Sequence, residues 1–105
     1  MKNKSKISIP HERIAKFCEK WRIIEFALFG STASDEFSEK SDVDVLVTFS
    51  PEAHIGLFDF IRMQNELKRI FKRKVDLVSR RGIENSRNTI RKKAILDSIE
   101  VIYAA

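Results

Sequence analysis

Apolar residues first recur at helical spacing. Ile14, Phe17, Cys18 and Trp21 fall three and four apart behind a Ser8-Ile9-Pro10-His11-Glu12 helix entry, which predicts a helix ending near Trp21. The period then changes. Ile23 to Phe29 is short, almost wholly apolar and stopped by Gly30, the pattern of a central strand covered on both faces. Ser31 to Ser41 is polar, with a short helix expected near Ala33. Asp42 to Phe49 is β-branched and reads as a second strand, halted by Pro51. Gly56 precedes a helix from about Leu57 to Phe71, with Leu57, Phe60, Ile61, Leu67 and Phe71 as its apolar stripe and Gln64 interrupting it. Lys74 to Ser79 reads as a third strand. The remainder from Ile83 is expected to be mostly helical, with Val101 to Tyr103 either a last strand or the end of that helix. The order predicts an α/β (α+β) fold, a small sheet with helices packed on it. It forms one domain over residues 1–105, with its core at about 23–103 and a frayed, flexible start at 1–8.

Composition narrows the function classes. At 43% apolar and 33% charged residues, the chain reads as globular rather than disordered. One cysteine, Cys18, rules out an internal disulfide and fits a reducing cytoplasm, where a small buried hydrophobe is its expected role. With His11 and His54 as the only histidines, a zinc site is not expected. No apolar run approaches the roughly 20 residues of a membrane span, and the basic start is followed by no signal-type apolar segment. The net charge of +5 is concentrated between Arg62 and Lys93, where Glu66, Asp76 and Glu84 are the only acids. Such a stretch suits a phosphate-bearing ligand, a nucleic acid or an acidic partner, and equally a solvated helix face.

The chemistry lies in three acids and a turn. On a strand, Asp42 and Asp44 point to one face, with Cα atoms about 6–7 Å apart. Two unit charges about 4 Å apart repel by about 4 kcal/mol at an effective dielectric near 20, so a cation is needed between them. Hard divalent ions prefer such oxygens, and Mg2+ takes one or two carboxylates plus substrate phosphates. Asp76 interrupts an otherwise apolar strand. If that strand lies beside Asp42–Phe49, Asp76 completes a carboxylate cluster able to hold two metals about 3.5–4 Å apart; otherwise it is an exposed strand end paired with a base. Gly30-Ser31 closes the apolar strand where backbone N–H groups and a hydroxyl can receive phosphate oxygens. Alone it is an ordinary turn signal; the specificity comes from the combination.

That combination resembles a known family. Gly30-Ser31, the spacer Thr32 to Ser41, and Asp42-Val43-Asp44 are similar to the GSx10DxD signature of DNA polymerase β-like nucleotidyltransferases. Lys74-Val75-Asp76-Leu77-Val78 resembles the later strand of the minimal nucleotidyltransferases. The likeness runs from about Phe26 to Tyr103. It implies the polymerase β-like fold with a small mixed sheet. It implies that Asp42, Asp44 and Asp76 ligate Mg2+, with Asp76 the general-base candidate. It implies that Gly30 and Ser31 hold the triphosphate of ATP. Its usual partner is a HEPN-type toxin, and the implied activity is AMP transfer from ATP to a tyrosine of that toxin, a type VII-like antitoxin function. The chain departs from the family's Gly-Ser-x-Ala-Arg-Gly at Ser34 and Asp35, which removes a planar cation near the phosphates. Lys40 is the base expected to replace it, and with Ser41 it joins the expected nucleotide-binding set.

Two rivals stand beside the enzyme. One is a non-catalytic antitoxin that masks a HEPN toxin by binding, with Ser34 and Asp35 recording a decayed nucleotide site. The other is a nucleic-acid-binding module using the Arg62–Lys93 stretch. It is disfavoured because Phe58, Phe60 and Phe71 sit at core-like helical spacing rather than on a stacking surface.

Overall fold

The computed structural model describes residues 9–30 and 42–105. In chain order its elements are α1 (His11–Trp21), β1 (Ile23–Leu28), β2 (Val43–Phe49), α2 (Leu57–Phe71), β3 (Val75–Ser79), α3 (Arg80–Glu84), α4 (Thr89–Asp97) and β4 (Glu100–Ala104). The strands form one four-stranded sheet in the order β3-β2-β1-β4. The β2–β3 pair is parallel and the other two pairs are antiparallel, so the sheet is mixed, as the resemblance implied.

Both faces are covered. On one, Ile14, Phe17 and Cys18 of α1 and Met63, Leu67 and Phe71 of α2 pack against Phe26, Leu28, Val43, Val45, Val47 and Leu77. Phe17 meets Phe26 edge-on, with ring centroids 6.3 Å apart. On the other, Ile83 of α3 and Ile95 of α4 pack against Ala27, Phe29 and Leu46. The apolar second half of β1 follows from this: from Phe26 to Phe29 consecutive residues serve opposite cores, while Glu25, nearer the strand's start, is part-exposed and pairs with Arg80. The helices on the first face are tied at their edge by Glu66, which accepts from Trp21 Nε1 at 3.1 Å and pairs with Lys20 at 3.0 Å.

The structure revises three local expectations. The helical part after β3 is two separate short helices, α3 and α4, and of the two readings of Val101–Tyr103 the strand holds, as β4 on the outer edge beside β1. The apolar stripe of α2 is also displaced. Met63, Leu67, Ile70 and Phe71 are its buried residues, whereas Leu57 and Phe58 are 74% and 79% exposed and Ile61 is half-exposed. The burying stripe is set by where the helix meets the sheet: Leu67 and Phe71 hold as expected and Phe60 packs partly against the core, while Leu57 and Ile61 stay largely outside it. Strand β2 begins at Val43, so Asp42 stands just before it. Cys18 is fully buried, and burial, with Glu19 beside it, pushes its thiol up to about 12, in keeping with an inert core residue. Among the described residues no helix is long and apolar enough to cross a membrane.

Candidate active site

Topology gathers the chemistry at one end of the sheet. Strand β1 runs out at Leu28 and Gly30, and β2 enters beside it, with the Phe29 N–H donating to the Asp44 carbonyl at 3.1 Å. Because β3 is parallel to β2, it starts at the same end, and the Asp44 and Asp76 Cα atoms are register partners. Register partners share a face. Along β2, Val43, Val45 and Val47 serve the α1–α2 core and Leu46 serves the other. By alternation, Asp44 and Asp76 stand on the side of α3 and α4.

Gly30 is required here by its backbone. Its φ of +61° lies in the left-handed region, and a Cβ on it would sit 2.9 Å from Asp44 Oδ2. The main chain therefore approaches the carboxylate closely. The Gly30 N–H donates to Ser98 Oγ at 3.1 Å, and Ser98 in turn donates to the Ile95 carbonyl at 3.1 Å. The end of α4 thus fixes the start of the turn.

The electrostatics are those of crowded acids. Partial burial pushes the Asp44 carboxyl up to about 6; the charges of Asp76 and then Asp42 add to the rise, and Arg91 opposes it. Asp42 and Asp76 therefore both act on Asp44, and Asp76 lies on the Asp44 side of the sheet. They do not close into a ready-made cage: among the described residues no three His, Cys, Asp or Glu side chains form a group able to hold a metal ion. Oxygen donors whose mutual repulsion resists ionisation do fit a hard divalent cation, which would relieve that repulsion. Ser31, Lys40 and Ser41, together with Ser34 and Asp35, lie outside the described residues. Ser98 and Arg91 were not singled out in the sequence. Their signal was helical spacing: Arg91, Ile95 and Ser98 lie four and three apart on one helix face. A cavity of about 500 Å³ lies elsewhere, at the far ends of β2 and β3, lined by Thr48, Phe49, Phe60 and Arg81 among others, and includes none of the acids.

The sequence model of the nucleotidyltransferase domain matches residues 12–102. The chain belongs to the nucleotidyltransferase domain family. Among curated relatives, "Putative protein adenylyltransferase MJ1379" of Methanocaldococcus jannaschii is 33% identical over 75 residues, 71% of this chain and 73% of that protein. MJ1217 of the same organism, similarly named, is 36% identical over 75 residues, 71% of this chain and 72% of its own. The "Structure of putative minimal nucleotidyltransferase" superposes with a TM-score of 0.66 at 28% identity, covering 86% of each chain. A toxin–antitoxin crystal structure with AMP-PNP gives a TM-score of 0.71 at 18% identity, over 92% of this chain and 75% of that one, and shows the shared fold. A Shewanella oneidensis complex of a tri-AMPylated HEPN toxin with its MNT antitoxin gives 0.61 at 18% identity, over 90% and 70%. This nucleotidyltransferase therefore has the mixed-sheet fold of the minimal members of its family.

Proposed function

We propose that this nucleotidyltransferase transfers AMP from ATP to a tyrosine hydroxyl of a HEPN-type toxin and acts as the antitoxin of that pair. The observation that carries the reading is the in-register pairing of Asp44 and Asp76 beside Gly30, with Asp44 raised by burial and then by its acidic neighbours. The relatives named as protein adenylyltransferases and the AMPylated toxin in a structural neighbour support the choice of donor and acceptor. Asp42, Asp44 and Asp76 would hold Mg2+. When bound, the ion supplies charge neutralisation for the triphosphate. The Gly30 N–H is taken by Ser98, so Gly30 serves by letting the main chain come close, and Ser31 receives phosphate oxygens at the turn. The tyrosine oxygen forms a bond to the α-phosphorus, the α–β phosphoanhydride bond breaks, and pyrophosphate leaves. Asp76, exposed at the strand end, accepts the hydroxyl proton. The chain's contribution is mainly position and charge.

The test is transfer of label from α-32P-ATP to a purified HEPN toxin in the presence of Mg2+. Wild type is expected to label the toxin, and Asp44→Asn or Asp76→Asn to lose labelling while remaining folded. Labelling that survives either substitution refutes the assignment. Neutralisation of the toxin with no label, in wild type, establishes the binding-only antitoxin instead.

A further inference from the structure

Helix α4 has one buried residue, Ile95, which packs with Ala27, Phe29 and Leu46 beneath it. That anchor fixes which side of α4 faces the sheet. Residues four before and three after Ile95 share its face, and these are Arg91 and Ser98. Ser98 reaches Gly30, as its 3.1 Å hydrogen bond shows. Arg91 is one turn the other way from Ile95, over the side of the sheet that carries Asp44 and Asp76. One helix face thus carries a hydroxyl bonded to the Gly30 turn and a guanidinium on the same side of the sheet as the acids.

The two bases that follow Arg91 on α4 are occupied. Lys92 Nζ donates to the Glu84 carbonyl at 3.0 Å, and Lys93 pairs with Asp97 at 3.1 Å. The Arg91 backbone N–H is held by Asn88 Oδ1 at 3.0 Å, which fixes the first turn of α4, while its exposed side chain forms no salt bridge among the described residues. A nucleoside triphosphate approaching three carboxylates is repelled by them, so binding needs positive charge across the site. A guanidinium matches phosphate oxygens in a planar, two-pronged way that an ammonium does not.

We propose that Arg91 is a substrate-binding residue that grips the phosphate chain of the nucleotide, opposite the carboxylates and beside the Gly30 turn. The inference rests on the reading of a nucleoside triphosphate as substrate. It predicts selectivity by phosphate number rather than by base.

Calorimetric titration of the full chain with ATP and with AMP, each with Mg2+, tests it. Wild type is expected to bind ATP more tightly than AMP. Arg91→Ala is expected to weaken ATP about 10- to 100-fold, the range for a charged hydrogen-bond partner, with AMP nearly unaffected. In turnover, KM for ATP rises more than kcat falls. Arg91→Lys keeps charge without the planar fork and is expected to recover part of the loss. Lys93→Ala, on another side of the same helix, is expected to behave as wild type. A merely structural role for Arg91 would weaken both nucleotides together. Wild-type preference for ATP that persists in Arg91→Ala and Arg91→Lys overturns the role of Arg91 alone. Wild-type silence toward both nucleotides overturns the nucleotide reading and the role of Arg91 with it.

Discussion

Replacing Asp44 by asparagine should make this protein more stable and inactive at once. Asp44 rises from an ordinary 3.8 to about 6, chiefly through burial and then through Asp76 and Asp42. A raised carboxyl pKa means that the folded state holds the proton more tightly than the unfolded chain does. Its favourable contribution is therefore fully present below about pH 4 and is lost as pH rises through about 6. At neutral pH the wild type carries an ionised Asp44 that folding disfavours. A shift of about two units corresponds to about 3 kcal/mol at 1.36 kcal/mol per unit. Asp44 is only part-buried, and screening by solvent reduces the effect to about 1–1.5 kcal/mol. For a domain of this size that is a rise in Tm on the order of 5–8 °C. Asparagine keeps the shape and one acceptor, and the Asp44 carbonyl that holds Phe29 N is untouched. Thermal unfolding by circular dichroism, with chelator present, at about pH 7.5 and about pH 4, measures this. Asp44→Asn should melt higher than wild type at the first pH and together with it at the second. Adding Mg2+ at the higher pH should raise the wild-type Tm and leave the variant's unchanged, because an ion that binds only the folded wild type stabilises only that chain. A variant less stable than wild type at neutral pH, or a gain equally large at pH 4, would refute the electrostatic reasoning.

Gly30→Ala should cost about 1–2 kcal/mol and abolish transfer, since the left-handed φ is strained for alanine and the new Cβ meets Asp44 Oδ2 at 2.9 Å; chemical denaturation and the labelling assay read the two effects. Leu57→Ser should change stability by less than about 0.5 kcal/mol because the side chain is 74% exposed. Met63→Ala, fully buried on the same helix, should cost about 2–5 kcal/mol. Urea midpoints for the pair would decide whether α2 buries the side seen in the structure or the stripe beginning at Leu57 that spacing alone suggested.

The elements were legible in the sequence because their signals are local. Three-and-four spacing marked α1, the almost wholly apolar run marked β1, and the bounds of α2 were flagged by Gly56 and by the end of its periodic pattern. The acids were legible for a related reason: Asp44 and Asp76 stand out because carboxylates are unwelcome in strands. Local signals fail where neighbours are distant. Leu57 and Phe58 are as apolar as Leu67 and Phe71, and only contact with the sheet decides which are buried. The place of β4 beside β1 was likewise set by pairing across the chain.

The sequence by itself determined the kinds of groups available for chemistry and their strand or turn setting, because backbone period and side-chain polarity are written residue by residue. Only the tertiary structure decided that β3 runs parallel to β2, which sets Asp76 opposite Asp44 on one face. It alone brought Ser98 to Gly30 and Arg91 within reach of Asp44 across long separations in the chain. Electrostatic coupling depends on distance in space, and that distance follows from which strands pair and which helix covers them.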